Sequence, residues 1–148
     1  MTNVRQLRAP SAIEKFFNRA FGFFVGHGIG PSYAYLLQVR GRKSGKIYST
    51  PVSLLELGGK KYLVAPRGRT QWVRNAEVAG EIALKRGSKV VRFRLRPLAG
   101  GEKLPVLKAY LDRFHAAVQR FFTVQAGAPV DRFESTAEDH PAFELLGV

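Results

Sequence analysis

The chain has 148 residues, of which 45% are hydrophobic and 24% charged, and it contains no cysteine. This length and composition predict one globular domain over 1–148 that can bury a core. The lack of cysteine excludes disulfides, thiolate metal sites and a cysteine nucleophile, and it suits a cytoplasmic location. With 24 Lys and Arg against 11 Asp and Glu, the net charge of +13 attracts nucleic acid, anionic membranes or multiply charged small ligands.

The N-terminal region predicts a helix over about 11–25. Ser11 and Glu14 form a capping-box pattern, and apolar residues follow at helical spacing until Gly26. Three charged residues inside this stretch exclude a signal-peptide core and a membrane span. Its phenylalanine-rich face either packs into the core or lies on a membrane surface, and both interpretations stay open.

Glycine-containing turns divide the middle of the chain, about 33–98, into short strands. Gly58-Gly59 and Gly87-Ser88 have the composition of two-residue hairpin turns, and Pro51 marks an edge strand or a bulge. A short helix is predicted over 71–79, ending at Gly80. Strands are predicted over 33–40, 48–57, 60–66, 81–86 and 89–98.

A long helix is predicted over about 103–122, with Leu107, Leu111 and Phe114 on its apolar face. The tail from Thr123 is predicted to be irregular, with a short helical turn near Phe143. Because hairpins join most strands, the sheet is expected to be largely antiparallel. The predicted fold class is α+β, with five or six strands in a small, partly open barrel and helices outside it.

The segment 41–45, Gly-Arg-Lys-Ser-Gly, has the composition of an anion-binding loop. Arg42 offers a two-pronged guanidinium, Lys43 a point charge and Ser44 a hydroxyl, while the glycines free backbone amides. A solvated hairpin loop has the same composition. The segment alone therefore does not decide between the two interpretations.

Two further groups have similar alternatives. Trp72, the single tryptophan, could form a wall for a planar ligand whose edge bonds to Asn75, or Trp72 could simply pack the short helix onto the sheet. Arg92, Arg94 and Arg96 alternate along one strand, as in a basic stripe for nucleic acid or a solvated sheet face.

Side chains for acid–base or metal chemistry are scarce. His27, His115 and His140 are far apart and lack metal-ligand spacing, so no metal site is expected. No serine belongs to a recognisable nucleophile motif with a neighbouring histidine and carboxylate. Anion-binding loops and an aromatic wall instead suit hydride chemistry, in which a bound cofactor carries the reactive atom.

Four motifs in order resemble the deazaflavin-dependent nitroreductases, coenzyme F420-dependent reductases that are also called F420H2-dependent quinone reductases. The resemblance implies a split β-barrel of the flavin-reductase type. It also implies an oxidoreductase that transfers hydride from reduced F420 to a quinone, a nitroaromatic compound or a similar electron-poor acceptor. The matching motifs are Gly41-Arg42-Lys43-Ser44-Gly45 after Leu36-Leu37, Thr50-Pro51-Val52, Tyr62-Leu63-Val64-Ala65-Pro66, and Trp72-Val73-Arg74-Asn75.

The resemblance also implies how the cofactor is held. The loop at 42–44 would contact its phosphate and oligoglutamate tail, the strand at 48–53 and the segment 64–67 would line its ring, and 71–75 would close the pocket. The implied cofactor-binding residues are Arg42, Lys43, Ser44, Tyr48, Ser49, Thr50, Pro51, Val52, Ser53, Val64, Ala65, Pro66, Arg67, Gln71, Trp72, Val73, Arg74 and Asn75.

The chain departs from the best-known nitroreductase of this family at the substrate end, where that enzyme has C-terminal tyrosines. Only Tyr110 lies beyond the barrel, with Phe121 and Phe122 as apolar substitutes, so no catalytic residue is assigned. FMN is the alternative cofactor. A non-catalytic F420 or fatty-acid binder and, less favoured, a nucleic-acid-binding barrel are the alternative functions. The expected partner is a small electron acceptor rather than nucleic acid, while peripheral membrane contact and a homodimer stay open.

Overall fold

The computed structural model describes residues 31–148. The helix predicted over about 11–25, and His27, lie outside the described residues. The described part contains two α-helices, α1 (Gln71–Ala79) and α2 (Lys103–Val118), and 3-10 helices at Gly100–Glu102, Gln119–Phe121 and Val130–Asp139. Its strands are β1 (Ala34–Arg40), β2 (Ile47–Ser53), β3 (Leu55–Leu57), β4 (Lys60–Val64), β5 (Glu81–Arg86), β6 (Lys89–Pro97) and β7 (Ala142–Gly147).

All seven strands belong to one antiparallel sheet in the order β2-β1-β5-β6-β7-β4-β3. The sheet curls into a half-barrel, and the predicted α+β class is confirmed. Local turn chemistry explains the hairpins. Gly58 and Gly59 have φ of 59° and 79°, and Gly87 has φ of 62°, the left-handed values that tight hairpin turns require.

The strand predicted over 48–57 is two strands, β2 and β3, because the chain leaves one side of the sheet for the other at Leu54. Leu54 is buried, and its amide donates to the Tyr33 carbonyl at 2.9 Å. Pro51 lies in β2 at the outer edge of the sheet, as predicted. An edge position suits proline because its missing amide hydrogen leaves no ladder bond unmade.

The prediction for the tail near Phe143 was wrong, since these residues form β7 in the middle of the sheet. β7 pairs with both β4 and β6, and Phe143 lies opposite Leu63 on one side and Pro97 on the other. Residues Ala142 to Leu145 are buried. A short, mainly apolar segment lacks the periodicity that distinguishes a buried strand from a helical turn. Its pairing with β4 and β6, which are distant in sequence, determines its conformation.

Apolar side chains pack on both faces of the curled sheet. Inside the half-barrel, Leu37, Leu63 and Leu84 form a cluster with Ala76 of α1. On the other face, α2 buries the side predicted from its spacing, including Leu107, Leu111, Phe114 and Val118. The α-helix ends at Val118, and Gln119–Phe121 continues it as a 3-10 turn. None of the helices described is both long and apolar enough to cross a bilayer.

The position of β7 predicts that Phe143 is essential for stability. Its side chain is 2% exposed and packs on Trp72, with ring centroids 6.0 Å apart. We expect Phe143→Ala to lower the free energy of unfolding by about 3–5 kcal/mol, because a large core side chain is lost. Urea denaturation measures this. Val130→Ala, at a 42% exposed position, is the control, and equal effects of the two changes would contradict the placement of β7.

Candidate functional site

A cavity of about 930 Å³ opens between the half-barrel and α2. Its walls come from the loop between β1 and β2, from β2, from the segment after β4, from the start of α1 and from the end of α2. Small-molecule sites commonly enclose about 300–1,000 Å³. The cavity is therefore large enough for a ligand with a planar ring system and part of a flexible tail.

The cavity is strongly positive. Arg42, Lys43, Arg67 and Arg120 line it, and no Asp or Glu stands among the described residues that form its walls. The first turn of α1, which begins beside the cavity at Gln71, also contains no acidic side chain. A helix N-terminus adds partial positive charge from its unpaired amides. The site is suited to an anionic ligand.

The loop between β1 and β2 is closed by its own backbone. The Gly41 amide donates to the Lys46 carbonyl at 2.7 Å, and the Gly45 amide donates to the Gly41 carbonyl at 3.0 Å. Gly45 has φ of 76°, which favours glycine. A Cβ on Gly41 would lie 2.5 Å from Cε2 of Tyr48, so glycine there lets the tyrosine ring close over the loop.

Asn75 ties this loop to α1. Its side chain is 5% exposed, and its Oδ1 accepts from the Arg42 backbone amide at 3.0 Å and from Arg42 Nη1 at 2.7 Å. Gln71 Oε1 accepts from the same Nη1 at 3.0 Å. The sequence suggested that Asn75 bonds to the edge of a heterocycle. In the structure its carbonyl oxygen orients the Arg42 guanidinium, and Asn75 also lines the cavity, so a bond from its side-chain amide to a ligand stays a prediction.

The position of Trp72 is compatible with both roles considered for it. It lines the cavity and also packs against Phe143, with the rings tilted by 56°. Val73 and Arg74 do not line the cavity: Val73 is fully buried in the core, and Arg74 Nε donates to the Arg69 carbonyl at 3.1 Å. The other predicted residues do line it, namely Arg42, Lys43, Ser44, Tyr48, Ser49, Thr50, Pro51, Val52, Ser53, Val64, Ala65, Pro66, Arg67, Gln71, Trp72 and Asn75.

The contribution of α2 was largely missed. Tyr110, Ala117, Val118 and Arg120 line the cavity, together with Phe121. Helical spacing put Val118 and Phe121 on the apolar face, and the resemblance put Tyr110 and Phe121 at the substrate end, but Ala117, Val118 and Arg120 were not predicted to line a site. Burial raises the pKa of the Tyr110 hydroxyl, so it stays protonated and can donate a hydrogen bond. Val39, Gly41 and Thr70 also line the cavity and were not predicted.

His140 supports the cavity wall from behind. It is fully buried and stacks on Phe122, with ring centroids 3.9 Å apart. Its Nδ1 lies 2.9 Å from the carbonyl oxygen of Pro66, a cavity residue, and its Nε2 lies 3.0 Å from Thr136 Oγ1. In residues 31–148 no group of His, Cys, Asp or Glu side chains could hold a metal ion.

The arginines of β6 form an ion-paired, solvated face. Arg92 pairs with Glu81, and Arg96 Nη2 lies 2.9 Å from Glu144 Oε1. Arg94 is exposed, and its Nη2 donates to the Gly147 carbonyl at 3.4 Å. Two of the three arginines, Arg92 and Arg96, are therefore paired with carboxylates of the sheet. They favour the interpretation of this strand as a solvated face.

Because Asn75 accepts two hydrogen bonds from Arg42, its replacement is expected to destabilise the β1–β2 loop. We expect Asn75→Ala to lower the free energy of unfolding by about 1–2 kcal/mol and to speed hydrogen exchange of the Arg42 amide, because that partly buried donor loses its acceptor. Urea denaturation and amide exchange by NMR measure the two effects. Val78→Ala, a 69% exposed position on the same helix, is the control. Unchanged exchange at Arg42 would show that Asn75 does not hold the loop.

The fold has relatives among solved structures. An F420-H2 Dependent Reductase (FDR-A) is 22% identical, with 77% of this chain and 94% of that chain covered and a TM-score of 0.51. A structure described as a domain-swapped dimer is 21% identical, with 90% and 92% covered and a TM-score of 0.55. A FAD-binding protein from Mesorhizobium loti is 14% identical, with 95% and 92% covered and a TM-score of 0.51. These likenesses confirm the split β-barrel of the flavin-reductase type.

No curated protein matched the chain. The family profile of the F420H2-dependent quinone reductases, in contrast, matches residues 13–128, which is most of the sequence. The match confirms the resemblance drawn from the four motifs and the assignment as an enzyme. The chain therefore belongs to the F420H2-dependent quinone reductase family and is an F420-dependent oxidoreductase.

Proposed function

We propose that the protein transfers hydride from reduced F420 to a quinone or a similar electron-poor aromatic acceptor within this cavity. The observation that carries the proposal is the composition of the cavity wall. Four cations and no carboxylate from residues 31–148 lie beside an aromatic ring and an apolar surface. In this arrangement Arg42 and Lys43 on the β1–β2 loop hold an anionic cofactor, and the apolar surface beside it receives the ring of the acceptor.

The residues present fit F420. Its phosphodiester and carboxylated tail are polyanionic, and Arg42, Lys43 and Ser44 offer charged and hydroxyl donors on the β1–β2 loop. The planar deazaflavin ring suits the mixed apolar and hydroxyl wall that includes Thr50, Pro51 and Trp72. FMN, with a single phosphate, would use fewer of these cations, so F420 is the better match for the charge of the site.

We assign three roles to the cavity residues. Arg42, Lys43, Ser44 and Tyr48 hold the tail, while Gln71 and Asn75 keep Arg42 in place. The ring lies against a wall formed by Ser49, Thr50, Pro51, Val52, Ser53, Val64, Ala65, Pro66, Arg67 and Trp72.

Bound reduced F420 supplies the reaction with one hydride, which is two electrons and a proton, and a second proton from solvent converts a quinone to its hydroquinone. The residues of the chain orient the two partners and limit water. Val118 and Phe121 give the acceptor an apolar surface. Nitroaromatic compounds belong to the same electron-poor class, and we propose them as secondary acceptors because the family description itself names quinones.

Self-association is a separate proposal. A similar structure is a domain-swapped dimer, and on that ground we propose that this chain also forms a homodimer. Light scattering on purified protein tests it. A molar mass near 16.5 kDa at all concentrations would show a monomer and contradict the proposal.

The assignment of the tail to the β1–β2 loop predicts a loss of cofactor affinity. We expect Arg42→Gln and Lys43→Gln each to raise the Kd for F420 about three- to tenfold, since each removes one charge-assisted contact worth about 0.7–1.4 kcal/mol. Fluorescence titration with F420 measures the Kd. Arg92→Gln on β6, outside the cavity, is the control and should leave the Kd unchanged, because an exposed ion pair contributes little.

Turnover is then tested with reduced F420 and menadione. Absence of F420 binding at micromolar concentration would exclude the proposed function. Tight binding without reduction of any quinone or nitroaromatic compound would support a non-catalytic carrier instead. The absorption spectrum of protein purified from a host that makes F420 separates that cofactor from FMN.

A further inference from the structure

The α2 end of the cavity, formed by Tyr110, Ala117, Val118, Arg120 and Phe121, has its own positive charge. The Phe121 ring lies close to two guanidinium groups. The Cζ atom of Arg120 is 4.6 Å from the ring centroid, and the Cζ atom of Arg67 is 5.6 Å from it. Both arginines line the cavity, so this end joins an apolar surface to two cations.

Within residues 31–148, no carboxylate pairs with Arg120. Arg120 is exposed. Contact with an aromatic face attracts a guanidinium and restricts its position, but the ring carries no counter-charge. With no carboxylate in the described walls of the cavity, an anionic group on a ligand would be the nearest partner.

We propose that the α2 end selects acceptors that carry an acidic group, namely planar aromatic quinones with a sulfonate or carboxylate substituent, and that Arg120 determines this specificity. The inference builds on the proposed function. The quinone ring packs on Val118 and Phe121, and its acidic substituent pairs with the Arg120 guanidinium. The substituent takes no part in the redox step, which adds one hydride and one solvent proton to the quinone.

The contacts proposed for the cofactor tail do not include Arg120. The tail has its own donors on the β1–β2 loop, where Arg42 is fixed by Gln71 and Asn75. Arg120 lies on a different part of the chain, after the end of α2. The guanidinium of Arg120 can therefore interact with the second reactant, which must reach the same cavity.

The test compares 1,4-naphthoquinone-2-sulfonate with menadione, which has the same ring system without the charge. We expect Arg120→Gln to raise the KM for the sulfonate about three- to fivefold and to change the KM for menadione less than twofold, since an exposed ion pair is lost. Each variant is compared with the wild type on the same acceptor, because the two quinones differ in reduction potential. Raising the ionic strength should reduce the wild-type preference for the sulfonate.

Arg113→Gln is the matched control. Like Arg120, Arg113 is an exposed arginine beside aromatic rings; it lies within α2, with its Cζ 5.3 Å from the Phe114 centroid and 5.7 Å from that of Tyr33. It does not line the cavity. Its replacement should leave both KM values unchanged, which separates a specific contact from a change in total charge.

A second measurement needs no cofactor and no turnover. Trp72 is the single tryptophan and lines the cavity, so its fluorescence reports binding of the sulfonated quinone to the protein alone. Arg120→Gln should weaken this binding three- to fivefold. The inference would be overturned if Arg120→Gln raised the KM for both quinones equally. It would also be overturned if Arg120→Gln raised the Kd for F420 and left both acceptor KM values unchanged. Arg120-dependent sulfonate binding without any F420 binding would reject the proposed function and keep the anion site.

Discussion

The pairing of β7 between β4 and β6 is the constraint on which the rest of the structure depends. It connects β4 and β3 to the remaining strands and so gives the half-barrel its second side. It also fixes the cavity wall. The Ala65 amide donates to the Pro141 carbonyl at 2.8 Å, and His140, next along the chain, bonds to the Pro66 carbonyl. These contacts, made by the residues just before β7, hold the segment 64–67 in the wall of the cavity.

The basic residues at the cavity and those elsewhere in the sheet have different surroundings. The described cavity walls collect arginine and lysine without acidic neighbours, which strengthens anion binding but adds repulsion between like charges. Carboxylates are placed elsewhere: Arg96 of β6 pairs with Glu144 of β7 and with Glu102 of the 3-10 helix that follows β6. At the cavity itself, neutral amides replace carboxylates: Asn75 and Gln71 hold Arg42 in position while leaving its charge intact. An acid at either position would have weakened the site for a polyanionic cofactor.

Local chemistry made much of the fold predictable. Glycines with positive φ at 58, 59, 80 and 87 are visible in the sequence and end or reverse the elements around them. Most of the residues predicted to bind the cofactor line the cavity, and they belong to short motifs at the ends of such elements, where a local pattern is visible. The long-range contacts could not be predicted from the sequence. Asn75 meets Arg42 across 33 positions, the end of α2 closes a cavity formed mainly by 39–75, and β7 finds partners far earlier in the chain. No short-range pattern encodes such pairings.

The late position of β7 also sets an order of events during synthesis. Until Ala142–Gly147 has left the ribosome, both β6 and β4 lack the neighbour that lies between them in the finished sheet. Each then exposes a row of unpaired backbone groups, which can pair with other chains. Sheets closed by distant strands also form slowly, because loop-closure entropy is lost before the contacts are gained. The nascent protein thus passes through a stage at which its cavity wall is unsupported and its strand edges are open to aggregation.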